Sequence, residues 1–269
     1  MKKIGIIGAG HLGFVLAKRL IAIGHSVKVA NSRGALSLQA FAQQTGATAA
    51  DLADVGSGVD IVIISIPLGQ IRTLQTAALH ALAPHTVVVD TGNYVPLRDE
   101  IIAEIEAGLP ETTWVCRQLG ISVVKAFNNI TDFSLQFNGM PAGARGRIGL
   151  PVAADDANAR AVIMTLIEEL GFTAVDAGTL AESWRQQIGQ PAYCTDATHD
   201  QLIGLLKRAD HKTVTKNREG AMKIMAKIPA DFSKPDLVRV ARLMIGLDRL
   251  KLGNWLALGR LGLSMLRMR

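Results

Sequence analysis

The chain has 269 residues, 49% of them hydrophobic and 19% charged, enough for one large or two modest domains with a sizeable core. The formal net charge of +6 is unevenly placed, because residues 201–269 hold 15 Lys and Arg against 5 Asp and Glu. That basic stretch carries no nucleic-acid-binding motif and only Phe232 and Trp255 as aromatics, so nucleic acid is not expected as a partner.

The first element in chain order is the apolar run Ile4-Gly5-Ile6-Ile7, which reads as a strand. It leads directly into Gly8-Ala9-Gly10-His11-Leu12-Gly13, and the segment Leu12 to Ile23 then has helical spacing up to Gly24. Strand, glycine turn and helix together make a dinucleotide-binding fingerprint. Gly8 allows the tight turn, Gly10 lets backbone approach a pyrophosphate, and Gly13 lets helix and strand pack closely. The helix N-terminus presents free N–H groups and a positive dipole end to phosphate.

The second strand, Ser26 to Ala30, ends in Asn31-Ser32-Arg33-Gly34. NAD-binding folds place Asp or Glu about 20 residues past the glycines to accept from the ribose 2′-OH. No acid stands between Ser26 and Asp51. An amide, a hydroxyl and a guanidinium occupy the turn instead, donors suited to a 2′-phosphate, so NADP(H) is expected rather than NAD(H).

The alternation continues. Helices are predicted over Leu36–Gln44, Gln70–Leu82, Asp99–Ala107 and from Asp155 or Asp156 to Leu170. Strands are predicted over Val59–Ile66, Thr86–Asp90, Val123–Ala126, Arg147–Ala153 and Phe172–Val175. Strands alternating with helices imply an α/β, doubly wound parallel sheet that ends near residue 180. Beyond it strand signals stop, and Gln201–Ala209, Lys216–Lys227, Leu237–Leu250 and Trp255–Leu266 read as helices. Ser233 to Asp236 is a capped start for the third. The expected division is a cofactor domain at 1–180 and an all-helical extension at 181–269.

Six segments in order resemble a known family: GAGHLG at 8–13, NSR at 31–33, SIP at 65–67, VVVDTGN at 87–93, VVKAFNNI at 123–130 and VDAGTL at 175–180. The resemblance is to the NADPH-dependent deazaflavin-coenzyme reductases, which include the oxidoreductase domain of the six-transmembrane ferric reductases. It covers roughly residues 1–185. It implies a Rossmann-type sheet with NADPH lying across the carboxyl ends of its strands, and hydride passing to a flavin or 5-deazaflavin co-substrate. Carried over by motif, Ala9, Gly10, His11 and Leu12 line the pyrophosphate and Ser32 with Arg33 the 2′-phosphate. Ile66 and Pro67 flank the adenosine side, while Asn93 and Ala126 sit near the nicotinamide. Phe127 stands beside the incoming ring, unless it is plain core. The resemblance leaves the basic carboxyl-terminal helices unexplained, and they are expected to form or cover the acceptor site, to dimerise, or both.

No catalytic side chain is assigned, because hydride transfer needs proximity and orientation more than an acid or base. Trp184, Tyr193 and Cys194 near the domain junction either face the acceptor or pack a hinge. Cys116 and Cys194 fit no metal-ligand or redox spacing, so no metal is expected and the setting is a reducing cytoplasm. The first strand begins at once, leaving no room for a signal peptide, and no 18-residue apolar run appears. The apolar stripe of the last two helices calls for a cover, and a homodimer is favoured over a membrane surface. Two alternatives are an imine or β-hydroxy-acid reductase and a non-catalytic NADP(H) sensor. Lys125 lies on a strand and three residues before Asn128, a poor match to a hydroxy-acid enzyme's helical Lys and Asn.

Overall fold

The computed structural model describes residues 1–74, 79 and 82–267. Six parallel strands form its main sheet: β1 (Lys3–Ile7), β2 (Ser26–Ala30), β3 (Thr48–Ala49), β4 (Ile61–Ile64), β5 (Val87–Asp90) and β6 (Val124–Lys125). Their order is β3-β2-β1-β4-β5-β6, so the chain winds outward one way from β1, returns to β4 and winds out the other way. Such a switch point, here between β1 and β4, is where open α/β sheets bind ligands. A parallel pair, β7 (Gly149–Val152) and β8 (Thr173–Asp176), continues the sheet. It joins through an antiparallel bridge between Lys125 and Ala153, whose N–H···O bonds are 2.8 and 3.1 Å.

The period-2 pattern of the central strands sorts side chains onto two faces. Ile4, Ile6, Ile61 and Ile63 point to one core with α1 (His11–Ala22) and α5 (Ala157–Glu169). Ile7, Val62, Ile64 and Val88 point to the other, against Trp114 and Val115 of α3 (Glu111–Leu119). Each such buried side chain contributes about 1.5–3 kcal/mol. Helices α2 (Gln39–Thr45) and α4 (Asp132–Phe137) complete the layer on the α1 side. Arg19 of α1 holds α4 through the Gln136 carbonyl at 3.2 Å.

Several boundaries differ from the sequence reading. The helix expected over Leu36–Gln44 begins as a 3-10 turn at Ala35–Leu38 and becomes α-helical only from Gln39. The span Asp99–Ala107 is broken into single turns at Pro96–Asp99 and Ala103–Glu106, because Glu100 takes a positive φ of 62°. Of the span Gln70–Leu82, Leu68–Thr73 is a 3-10 helix and residues 75–78, 80 and 81 lie outside the described residues. Asp156 caps α5 by accepting from the Asn158 and Ala159 N–H groups.

In the carboxyl-terminal third, α6 (His199–Lys207) packs Leu202, Leu205 and Leu206 against Ala153 and Val175 of the sheet. Helix α7 (Val214–Met225) is tied down by buried Arg218, which meets Glu106 at 2.5 Å and stacks 4.9 Å from the Tyr94 ring. Helices α8 (Lys234–Met244) and α9 (Leu252–Arg267) form a hairpin around Val240, Ala257 and Leu261. Arg260 clamps Asp236 across it at 2.8 and 2.9 Å. The helix expected over Leu237–Leu250 therefore runs Lys234–Met244, ended by positive φ at Gly246 and Asp248. Ser233 supplies its cap.

Candidate functional site: the carboxyl edge of the sheet

Cross-strand register lines up the strand ends, pairing Ile7 with both Ala30 and Ile64, Ile64 with Asp90, and Asp90 with Lys125. The segments that follow them therefore form one row: the Asn31–Gly34 turn, the glycine turn, Ser65–Pro67, Gly92–Asn93 and Ala126. At about 4.8 Å per strand the row is roughly 19 Å long.

The three glycines of the first turn have separable reasons. Gly8 takes a φ of 117°, and a Cβ there would lie 2.1 Å from the Ser65 carbonyl oxygen. A Cβ on Gly13 would lie 2.3 Å from the Gly8 oxygen. Both are demanded by the fold. Gly10 is not: its φ is −79° and a Cβ would meet nothing within 4 Å. The space it leaves is open, directly over the start of α1, where no side chain caps the helix and no acid stands in the first turn. Such an opening has room for a diphosphate, with the orphan N–H groups of the helix start as donors. Ala9 and Leu12 are half-buried and His11 is exposed.

At the end of β2 the roles divide. The Asn31 carboxamide shapes the turn, accepting from the Arg33 N–H at 2.8 Å and donating to Ser37 Oγ at 3.0 Å. Ser32 and Arg33 are exposed, and the Arg33 guanidinium has no ion pair or hydrogen bond among the described residues. The nearest acid in sequence, Asp51, is occupied by the Ala35 N–H at 2.9 Å. A hydroxyl and a guanidinium can both donate to a 2′-phosphate, and no carboxylate stands in the turn to accept from a ribose 2′-OH. Next to the glycine turn, Ile66 is half-buried and Pro67 exposed.

The β5–β6 end is built from polar residues. Asn93 pairs with Asn128 through both ends of its amide, Nδ2 donating to the Asn128 main-chain carbonyl at 2.9 Å and Oδ1 accepting from Asn128 Nδ2 at 3.0 Å. Gln186 donates to Asn128 Oδ1 at 3.2 Å, and Tyr193 Oη lies 3.5 Å from Asn93 Nδ2. Of the three junction residues, Tyr193 thus reaches the site. Trp184 instead stacks edge-on against His211, and burial pushes the Cys194 thiol up to about 12, which leaves it unreactive. Ala126 and Phe127 are completely buried. The phenyl ring of Phe127 belongs to the core and does not stand beside an incoming ring, and Ala126, whose N–H donates to the Asp90 carbonyl at 3.3 Å, presents no exposed surface at the edge.

Beside this edge lies a charged cluster that sequence reading missed. Lys125 is fully buried, with its Nζ 3.0 Å from Asp90 Oδ2, on the Gly92 carbonyl oxygen and 4.0 Å from Glu111 Oε2. Asp90 also accepts from Thr112 Oγ1 at 2.7 Å and from the Gly92 N–H at 2.8 Å. Glu111, buried with neither oxygen hydrogen-bonded among the described residues, is pushed up to about 7 by desolvation, against the pull of Lys125. The available signal was a lone Asp and a lone Lys in otherwise apolar strands. No cluster of three His, Cys, Asp or Glu suited to a metal occurs among the described residues.

Residues 3–94 match the family described as NADP oxidoreductase, coenzyme F420-dependent. The crystal structure of the hypothetical protein SMa0349 from Sinorhizobium meliloti is 32% identical, covering 72% of this chain and 93% of that one with a TM-score of 0.61. A candidate F420-dependent NADP reductase from Arthrobacter sp. FB24 shares the fold at 23% identity, covering 68% and 87% with a TM-score of 0.58. The YjhV protein of Escherichia coli K12 is 49% identical over 76 residues, 27% of this chain and 56% of that protein. The chain thus spans about half the length of that curated relative. Fold and family match define the class: a Rossmann-fold chain whose residues 3–94 match an NADP oxidoreductase family. Within it the chain belongs with the Sinorhizobium protein, which it matches over nearly all of that protein's length.

Proposed function

We propose that this chain passes hydride between NADP(H) and a flat acceptor of the flavin or 5-deazaflavin type. The observation that carries the reading is the pairing of open space at Gly10 with an exposed Arg33, one strand away, whose guanidinium has no partner among the described residues. In this reading residues 8–13 hold the pyrophosphate through backbone N–H groups, and Ser32 with Arg33 hold the 2′-phosphate. Asn31 supports them by fixing their turn. Ile66 and Pro67 flank the adenosine side, and Asn93 and Ala126 lie near the nicotinamide end. When bound, the cofactor supplies the hydride. The protein's task is to orient it, and no side chain is assigned as acid or base. The family match supports the deazaflavin-type acceptor; a kinship with ferric reductases rests on the motifs alone.

Residues 1–180 are proposed as the cofactor domain and 181–269 as the part that completes the acceptor side and dimerises. The outward face of α9 supports the second role. Leu252, Trp255, Leu256 and Leu263 are exposed there with no charge between them, and Gly259 leaves open space for a neighbouring helix. A second copy presenting the same face covers this stripe. Both cysteines are free, consistent with the proposed cytoplasmic setting, and no helix among the described residues is long and apolar enough to cross a membrane.

The test is NADPH oxidation against a panel of flavins, a 5-deazaflavin, keto acids and imines. Turnover with the flavin-type acceptors alone is expected. Turnover only with imines or keto acids moves the chain to the alternative reductases, and tight binding without turnover makes it a sensor.

A further inference from the structure

The least expected placement in the molecule is Lys125, a strand residue with no exposure. Lysine is almost never fully buried unless paired, and apolar residues at such a site are often at least as stabilising as the ion pair. Stability alone therefore gives no reason for the charge. Its contacts do. Asp90 and Lys125 are register partners on β5 and β6, and between them they hold the same residue. The Gly92 N–H donates to Asp90 Oδ1 at 2.8 Å, and the Gly92 carbonyl accepts from Lys125 Nζ. A Cβ on Gly92 would lie 2.9 Å from Asp90 Oδ1, so the grip is close. Asn93 follows directly, with its carbonyl held by Arg98 Nη2 at 2.8 Å and its side chain paired to Asn128. Thr112 steadies Asp90 from α3.

We infer that Lys125 is a positioning residue: acting through Gly92, it fixes the turn that carries Asn93 and so sets the nicotinamide end of the cofactor groove. The inference rests on the proposed function for the identity of that groove. It assigns Lys125 no contact with the cofactor and no proton to transfer.

The test compares two ligands by calorimetry. NADP⁺ reaches the whole row, whereas adenosine 2′,5′-bisphosphate has the 2′-phosphate but no nicotinamide. For Lys125→Met, NADP⁺ affinity is expected to fall about tenfold, and adenosine 2′,5′-bisphosphate affinity to stay within about twofold. Because that variant strands the Asp90 charge, Lys125→Met/Asp90→Asn is measured alongside. It removes both charges, and the new amide oxygen still accepts from the Gly92 N–H. The same split in the double variant supports the inference. Unchanged NADP⁺ affinity in a folded variant, or a parallel loss for both ligands, overturns it. A wild-type chain that binds neither ligand overturns the proposed function itself, and one that binds both equally well overturns only the positioning role.

Discussion

Strands β1 and β4 leave no large apolar side chain in water, whereas α9 leaves most of its outward face there. Ile4, Ile6, Ile61 and Ile63 have no exposure at all, while Trp255 and Leu256 are each 53% exposed. The difference is one of completeness. The sheet is covered on both faces by its own crossover helices, so its ligand edge stands on a finished core. The hairpin of α8 and α9 buries only a small cluster and is fastened to the rest largely by polar contacts. Arg242 meets the Thr195 and Asp196 carbonyls at 2.7 and 2.9 Å. Cofactor binding should therefore depend on the sheet edge alone, and assembly on the hairpin.

The sharpest way to break this comparison is at the glycine turn. Gly10→Val fits the backbone and meets open space, so the fold should survive with little change in melting temperature while NADPH binding falls below detection. Gly8→Val, aimed at the Ser65 carbonyl, should fail to fold. Near-normal NADPH affinity in Gly10→Val would make the turn structural only.

A second break separates the two regions physically. Deleting residues 233–269 should convert a dimer to a monomer by light scattering, with NADPH affinity of the soluble fraction retained. A truncated chain that stays dimeric would remove the hairpin from the interface.

The smallest effect concerns the buried charges. Glu111 titrates near 7 in the folded protein against an ordinary value of 4.5, because burial disfavours its charge. Between those values the native state keeps a proton that the unfolded chain has released. Stability should therefore fall as pH rises through that window, by at most about 1.4 kcal/mol per unit, and level off above it. Glu111→Gln should flatten the slope in denaturant titrations at pH 5 to 8. An unchanged slope would assign the titration elsewhere.

Much of the fold was legible because its signals are local. The glycine turn, the apolar strands β1 and β4, the Asp156 cap and the Ser233 start are each read within a few residues. Helix α3 was not, since ETTWVCRQL mixes polarity and follows Pro110 without a capping side chain. The break at Glu100 depends on an unusual φ that no composition announces. In the site, the Gly8–Arg33 half was readable as a motif. The Asp90–Lys125–Glu111 cluster was not, because Asp90 and Lys125 stand 35 residues apart and meet only through cross-strand register. Burial of Phe127 likewise follows from packing, not from its neighbours in sequence.

The central claim, that this edge binds NADP(H) through its 2′-phosphate, is tested most directly by titrating NADPH and NADH into the wild type and Ser32→Ala/Arg33→Ala. Charge-assisted hydrogen bonds of about 1.5–3 kcal/mol each predict a loss of about 10- to 100-fold per bond for NADPH, with NADH affinity nearly unchanged. Equal losses for both cofactors, or a wild type that prefers NADH, would contradict it.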